Sequence, residues 1–358
     1  MVVTDSASAM TSAFQAPFEW VPCSGQNIYL LQKYAFNEQD KPDTPDPFSE
    51  ITKLISSSKE LVTTIKRANF NFDLVCQLKQ ECKTRWDSLY DLLDSVSQNY
   101  QVLIAEEELQ SSMNDISAGL LQEILDILKP LKKLRTTLCS DSDITFNIVT
   151  LTYLEIKDLM EFNFEKDSLS ILQLKKRFLS FLNEKFEVTE YRVIATFLTP
   201  AYRSVPKDKY DSILVENSMK LLKSYMEEVP ESDIEDDDHD IQPNVAHSRA
   251  SGSLFSKYMT KPKDVPKDKV SNELTEYERY NLMDLYINIC PIDFWISNEN
   301  IFPKLSKIAS SLLSALATNT SSERAFSLLG SIITPLRNAL DPETVNKLNF
   351  ISSNEDFL

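Results

Sequence analysis

The chain has 358 residues, with 37 basic and 54 acidic side chains and a formal net charge of −17. An apolar share of 42% with 19 Phe, 13 Tyr and 3 Trp is enough for a sizeable core and excludes wholesale disorder. Four glycines in the whole chain, against a usual share of about 7%, exclude a Gly-rich all-β fold and a Gly-rich phosphate loop, and the acidity excludes a self-sufficient DNA binder.

The first elements are short. Val2-Val3-Thr4, ending in Asp5, and Trp20-Val21-Pro22-Cys23 are buried-strand candidates. They flank a helix-like piece from Ser6 to Phe14 that precedes Pro17, which gives a βαβ-like fragment. Two strands cannot cover both faces of a sheet, so the chain is expected to start inside a larger β-unit. A Pro/Asp turn region spans Glu38 to Pro47.

A long helical stretch is expected from Phe48 to Leu128, on the helical spacing of Ile51, Leu54, Ile55, Leu61, Val62 and Ile65, then Leu89, Leu92, Leu93, Val96, Tyr100, Leu103 and Ile104. Leu120, Leu121, Ile124, Leu125 and Leu128 continue it until Pro130, which is expected to break the pattern. Further helices are expected over Thr145–Met160, Leu169–Phe186 and Ser212–Met226. Val193 to Leu198 reads as a helix or a buried strand stopped by Pro200.

From Glu227 to about Asn272 the composition is that of a loosely held linker. It opens with nine acids (Glu227, Glu228, Glu231, Asp233, Glu235, Asp236, Asp237, Asp238 and Asp240). The run is a solvated loop or a surface for a basic partner. Lys261 to Lys269, interrupted by two prolines and two acids, is a poor import signal.

The C-terminal block from Glu273 to Leu358 has the clearest helical pattern. Phe302, Leu305, Ile308, Ala309, Leu312, Leu313 and Leu316 make one wide apolar stripe. Thr320-Ser321-Ser322-Glu323 reads as a capping box before Ala325, Phe326, Leu328, Leu329, Ile332 and Ile333. Asp341-Pro342-Glu343 starts a last helix with Asp at N-cap and Pro at N1, and Val345, Leu348, Phe350 and Ile351 are its expected buried face. Stripes this wide exceed what three helices hide among themselves, so a partner surface is expected, from the rest of the chain or a second copy.

The chemistry-bearing residues are sparse. Cys23, Cys76, Cys82, Cys139 and Cys290 are odd in number, with no CxxC and no zinc spacing, which fits a reducing compartment. The only histidines are His239 and His247, so neither histidine catalysis nor a metal site is expected. No apolar run reaches the roughly 18 residues of a membrane span, and no signal peptide is evident.

At the C-terminal block a family resemblance enters. Ser321-Ser322-Glu323-Arg324-Ala325-Phe326-Ser327, then Gly330, Thr334, Arg337-Asn338 and Leu340, resembles the C-terminal dimerisation region of hAT-type transposases. Phe302-Pro303-Lys304-Leu305 and Asp293-Phe294-Trp295 resemble its upstream elements, and Thr84-Arg85-Trp86-Asp87-Ser88 its T-R-W-N-S motif. Ala195 to Tyr202 is similar to its A-x-x-L-D-P-R-Y motif, with Thr199 for Asp and Ala201 for Arg; Val3 to Met10 is similar to V-T-D-N-A-x-N-M, and Val21 to Gln26 to I-P-C-x-A-H.

The resemblance implies a mainly α chain with a small β remnant: a truncated RNase H-like fold with a large all-helical insertion. Its implied parts are a strand-helix-strand remnant at 1–47, a helical insertion at 48–226, the linker at 227–272 and the dimerisation region at 273–358. Asp5 and Glu323 fall on two of the family's three catalytic carboxylates, and the first lies upstream of this sequence. Two-metal phosphoryl transfer needs carboxylates that hold cations about 4 Å apart, one of them bridging. Asp5 and Glu323 alone would hold one Mg²⁺ weakly, and Gln26 stands where the family has a histidine.

The expectation is therefore a catalytically inactive, transposase-derived protein with no cofactor, dimerising with itself or with related hAT-derived proteins. Its dimer contacts are expected at Trp295, Leu305, Ile308, Leu312, Phe326, Leu329, Ile332 and Leu348. Weak DNA contact is expected at Trp86 and Arg85, with no membrane association and a nuclear, otherwise cytoplasmic, location. The alternative is an N-terminally incomplete copy of an active transposase using Mg²⁺.

Overall fold

The computed structural model describes residues 1–14, 19–37, 48–68, 73–82, 85–230, 254–259, 273–280, 289–334 and 340–354. The described chain is mainly helical. It divides into two compact units, neither continuous in sequence: Met1–Gln26, Leu138–Asn147 and Glu190–Leu358 form one, and Asn27–Thr137 with Ile148–Thr189 the other. Most of the acidic and Lys/Pro linker, both histidines and Lys261–Lys269 lie outside the described residues.

The first unit opens with strand β1 (Val2–Thr4), helix α1 (Ser8–Ala13) and strand β2 (Trp20–Pro22). The strands pair in parallel, Val3 opposite Val21, as the alternation of two short apolar runs around a helix predicts. Helix α2 (Ser24–Ala35) follows directly in sequence; Ser24–Gln26 belong to this unit and the helix from Asn27 on to the second.

The second unit is built on α3 (Phe48–Ala68). Its buried Ile51, Leu54, Leu61, Val62 and Ile65 form one stripe, which packs against α4 (Ser88–Gln98), α6 (Gln110–Met113) and α9 (Leu169–Lys185); the short α5 (Tyr100–Ala105) joins α4 to α6. α7 (Ala118–Leu138) and α8 (Val149–Leu159) complete the set.

Two expectations about this region are corrected. The helix from Phe48 to Leu128 is not continuous: residues 73–82 are irregular. Val75 and Cys76 among them are held by the fully buried Asn99. Its Oδ1 accepts from the N–H of Val75 at 2.7 Å and of Cys76 at 3.3 Å, while its Nδ2 donates to the Cys76 carbonyl at 3.0 Å and the Ser95 carbonyl at 2.8 Å. An asparagine side chain offers the backbone an alternative to helix hydrogen bonds, and a helical period cannot show that. Pro130, in turn, does not end its helix; α7 runs through it to Leu138. A mid-helix proline costs about 3 kcal/mol. Ile124, Leu125, Leu128, Leu131, Leu134 and Leu138 are buried on both sides of it, at roughly 1.5–3 kcal/mol per side chain, so burial wins.

The remaining helices belong to the first unit: α10 (Glu190–Phe197), α11 (Val205–Lys209), α12 (Ser212–Glu228), α13 (Glu273–Arg279), α14 (Pro291–Ser297), α15 (Pro303–Leu313), α16 (Thr320–Ile332) and α17 (Pro342–Ser353). The run Val193 to Leu198 thus resolves as helix. Its core is aromatic. Tyr277 is fully buried among Trp295 (ring centroids 4.9 Å), Phe197 (5.4 Å) and Phe302 (5.8 Å). The two polar tips are bonded, Trp295 Nε1 to the Leu198 carbonyl at 2.7 Å and Tyr277 OH to the Phe197 carbonyl at 3.0 Å, as buried amphipathic rings require.

The Asn99 clamp makes a clear prediction. Asn99→Ala strands the two donors of Val75 and Cys76, and should lower unfolding free energy by about 2–4 kcal/mol. Urea denaturation monitored by circular dichroism measures it; a loss no larger than that of an exposed Ser→Ala change would contradict the clamp.

Candidate functional site

Two places carry the residues that the sequence singles out, and both depend on α16. The first is the carboxylate pair. β1 delivers Asp5: Trp20 Nε1 donates to Thr4 Oγ1 at 2.8 Å, and the N–H of Cys23 donates to the Thr4 carbonyl at 2.7 Å, so the strand end is fixed. Asp5 Oδ1 also accepts from the N–H of Ala7 at 3.2 Å, ahead of α1.

Glu323 is delivered by α16, whose start is anchored within the first unit. The Ala317 carbonyl accepts from the N–H of Ser24 at 2.9 Å, and the Ala317 N–H donates to Thr145 Oγ1 at 2.9 Å. Ser321 Oγ donates to Asp141 Oδ1 at 2.8 Å, Arg324 pairs with Asp141, and its Nη2 donates to the Cys139 carbonyl at 2.9 Å. Asp141, Cys139 and Thr145 were not expected to matter; a short polar connection carries no periodic signal.

The capping box is not formed. The N-cap is Asn319, with no side-chain cap bond, and Thr320 Oγ1 donates to Thr318 Oγ1 at 2.9 Å and lies 3.2 Å from Cys139 Sγ. Tertiary bonds outcompete the local cap. Although Glu323 is exposed, desolvation by the protein around it raises its pKa, and the charge of Asp5 raises it further. The two carboxylates are therefore close enough for the charge of one to be felt at the other.

Beside them Cys23 is fully buried. Burial raises its thiol pKa, against the backbone N–H groups of Asn319, Gln26 and Gly25 that lower it. It is a packed, inert thiol, as the sequence suggests. A fully buried cation missed by the sequence holds the same joint: Arg192 donates to the Pro22 carbonyl and, at 3.0 Å, to Ser24 Oγ. An arginine heading an apolar run was the available signal. Among the described residues no group of three His, Cys, Asp or Glu converges on a common point. The pair offers oxygen ligands for one hard cation and does not fit a two-metal centre.

The second place is the apolar face of α16 and α17, which pack against each other. α17 has the expected start, Asp341 accepting from the N–H of Thr344 at 3.2 Å with Pro342 at N1. Its expected buried face is not buried. Val345 is, but Leu348, Phe350 and Ile351 are 39%, 67% and 48% exposed, and on α16 Phe326 is 73% exposed, with Ile333 just beyond it at 48%. The eight expected dimer positions divide accordingly. Trp295 and Leu305 have no exposed surface and belong to the core of their own unit. Ile308 and Leu312 pack partly against that core. Leu329 and Ile332 are half-buried, and Phe326 and Leu348 face solvent. Arg337-Asn338 lies outside the described residues.

In the second unit, Arg85 is exposed and Trp86 half-buried. One ring face of Trp86 is approached by Arg135, whose guanidinium carbon lies 5.6 Å from the ring centroid; Arg135 is itself nearly buried and paired with Asp87. Thr84, the motif's first residue, is outside the described residues.

No helix among the described residues is long and apolar enough to cross a membrane. Substituting Asp5→Asn should lower the Glu323 pKa towards the ordinary glutamate value, read by carboxyl NMR titration. A carboxyl whose pKa rises on folding costs stability as pH rises past its unfolded value, so D5N should also flatten the loss of stability above that pH. An unchanged Glu323 titration would show that the two carboxylates do not interact.

The family model of the hAT family C-terminal dimerisation region matches residues 256–355. The chain is 26% identical to mouse (Mus musculus) zinc finger protein 618, covering 75% of this chain and 27% of that protein. It is 25% identical to the transposable element Hobo transposase of Drosophila melanogaster, covering 90% of this chain and 54% of the transposase. The chain thus spans about half or less of the length of these relatives. Residues 256–355 are a hAT family C-terminal dimerisation region, carried by a chain that is similar to hAT transposases along most of its length.

Proposed function

We propose that this is a transposase-derived protein that associates with a second copy of itself, or with a related hAT-derived chain, through the outer face of α16 and α17, and that it does not cleave DNA. One observation carries the association. Phe326 and Gly330 stand at i and i+4 on an open face of α16, and the exposed Ile333 lies just past its end. At Gly330 an added Cβ would meet nothing within 4 Å. Nothing in the subunit therefore requires a glycine there, and glycine costs a helix about 0.5–1 kcal/mol against alanine. Between two exposed apolar side chains, a missing Cβ fits the close approach of another helix. Leu348, Phe350 and Ile351 extend the apolar surface.

The inactive assignment rests on chemistry. Asp5 and Glu323 repel each other and supply two of the carboxylates that a two-metal centre needs, and Gln26 replaces an imidazole. A truncated RNase H-like origin is supported by the parallel β1-α1-β2 unit that delivers Asp5. The juxtaposition of Asp5 with Glu323 also favours a second reading, in which a longer form of this protein supplies the bridging acid and cleaves DNA with Mg²⁺. Divalent-ion-dependent nicking of DNA by such a longer form, abolished by Asp5→Ala, would establish that reading and overturn the first. Weak DNA contact at Arg85 and Trp86 and a nuclear location are secondary proposals. They are supported by the exposed arginine and by relatives named as a transposase and a zinc finger protein.

Light scattering on the full chain tests the association. The wild type should run as a dimer at low micromolar concentration. Gly330→Leu should run as a monomer with equal or higher thermal stability, since a leucine favours the exposed helix while blocking close approach. Phe326→Ser with Phe350→Ser should also give a folded monomer, because exposed substitutions change stability by about 0.5 kcal/mol or less. A monomeric wild type at tens of micromolar, or a dimeric G330L, would refute the assigned face.

A further inference from the structure

A cavity of about 690 Å³ in the first unit is used by neither feature above, and its size is that of a side-chain or small-ligand site. One wall is apolar, made by Ile194 of α10 and by Ile308 and Leu312 of α15. Its polar side is acidic, with Glu19 ahead of β2 and Glu228 at the last turn of α12, both exposed. Among the described lining residues Lys307 is the basic one.

Two hydroxyls converge on Glu19. Tyr225 OH donates to its Oε1, and the hydroxyls of Tyr191 and Tyr225 are 3.2 Å apart. Burial, then Glu19 and Tyr225, raise the Tyr191 pKa well above the ordinary phenol range, so this phenol stays a neutral donor. α12 ends here with no basic residue in its last turn, so the negative end of its dipole adds to the two carboxylates. The chain leaves the cavity wall at Pro230 and enters seven acids within the ten residues from Glu231 to Asp240, which extends the same sign of field.

We propose that this cavity takes the side chain of a lysine or arginine from a basic segment of a partner protein, with the aliphatic stem on Ile194, Ile308 and Leu312 and the charged head at Glu19 and Glu228. Long cationic side chains bury their stems and keep their heads polar, which is the division this cavity offers. The sign of the charge disfavours nucleic acid and the apolar wall goes beyond what a bare cation needs. The acidic run after Pro230 would raise the association rate of a basic partner and make it salt-dependent. This site is independent of the α16–α17 face.

The test uses the full chain and a fluorescein-labelled octapeptide of alternating Lys and Ser, followed by anisotropy at fixed ionic strength. The wild type should bind it and not the alternating Glu-Ser peptide. Glu19→Gln combined with Glu228→Gln should weaken binding by about tenfold or more, the scale of losing charge-assisted contacts. The same change of charge at the exposed Glu107 and Glu108 of the other unit, as E107Q with E108Q, should leave it unchanged. Ile308→Ser should weaken it with the thermal transition retained. Failure of the Lys-Ser peptide to bind, or equal loss in both double variants, overturns the proposal. So does displacement of the peptide by an equal concentration of spermidine, which would make the cavity a site for free polyamines.

Discussion

The indole hydrogen bond from Trp295 to the Leu198 carbonyl, made inside a cluster of five aromatic rings, is the constraint on which the first unit depends. It joins segments that are 97 residues apart in sequence. The alternative for either group would be an unsatisfied polar atom in a dry core, at about 1–3 kcal/mol each. With α10, α14 and α15 locked by that cluster, Arg192 on α10 can reach the end of β2, and Ser24 and Thr145 can grip Ala317 just before α16. The positions of Asp5, Glu323 and the apolar hairpin all follow from this one core.

That core also explains which sequence expectations failed. A wide apolar stripe says that a helix is covered, never by what. Trp295 and Leu305 satisfy the same helical pattern as Phe326 and Leu348, but the first two are spent inside the subunit and the second two are left in water. The difference lies in tertiary neighbours that sequence periodicity does not contain. Where neighbours were local, the sequence was legible. The parallel strand pair, the α17 start at Asp341-Pro342 and the helices over 149–159, 169–185 and 212–228 were all visible in it. Pro130 and Asn99 were illegible for opposite reasons. At Pro130 long-range burial overrides a local breaker, and at Asn99 a single buried side chain replaces a turn of helix.

The candidate site was legible only as a pair of positions. Motif resemblance singled out Asp5 and Glu323, and the charge of Asp5 adds to the desolvation that raises the Glu323 pKa. It could not show that Glu323 would be freed from its capping role. Thr320 bonds to Thr318 and approaches Cys139, and α16 starts one residue earlier in the hydrogen-bonding sense, at Asn319. Long-range bonds thereby take Glu323 out of the capping role that local sequence assigns to it.

Glu323 and Phe326 lie one turn apart on α16, so the carboxylate pair and the apolar face share a helix whose anchor is the grip of Arg324 on Asp141 and on the Cys139 carbonyl. That anchor holds the start of the helix, and the helix also packs on α17. Desolvation and the charge of Asp5 both raise the Glu323 pKa at the anchored end, while Phe326, Leu348 and Phe350 leave much of their apolar surface in water. Both costs persist in the isolated chain. Burying the apolar face between two copies would offset the second at roughly 25 cal/mol per Å² of apolar surface removed from water, without any contribution from catalysis. The apolar face of α16 and α17 is therefore physically separable from the carboxylates, because burying it against another surface draws nothing from Asp5 or Glu323.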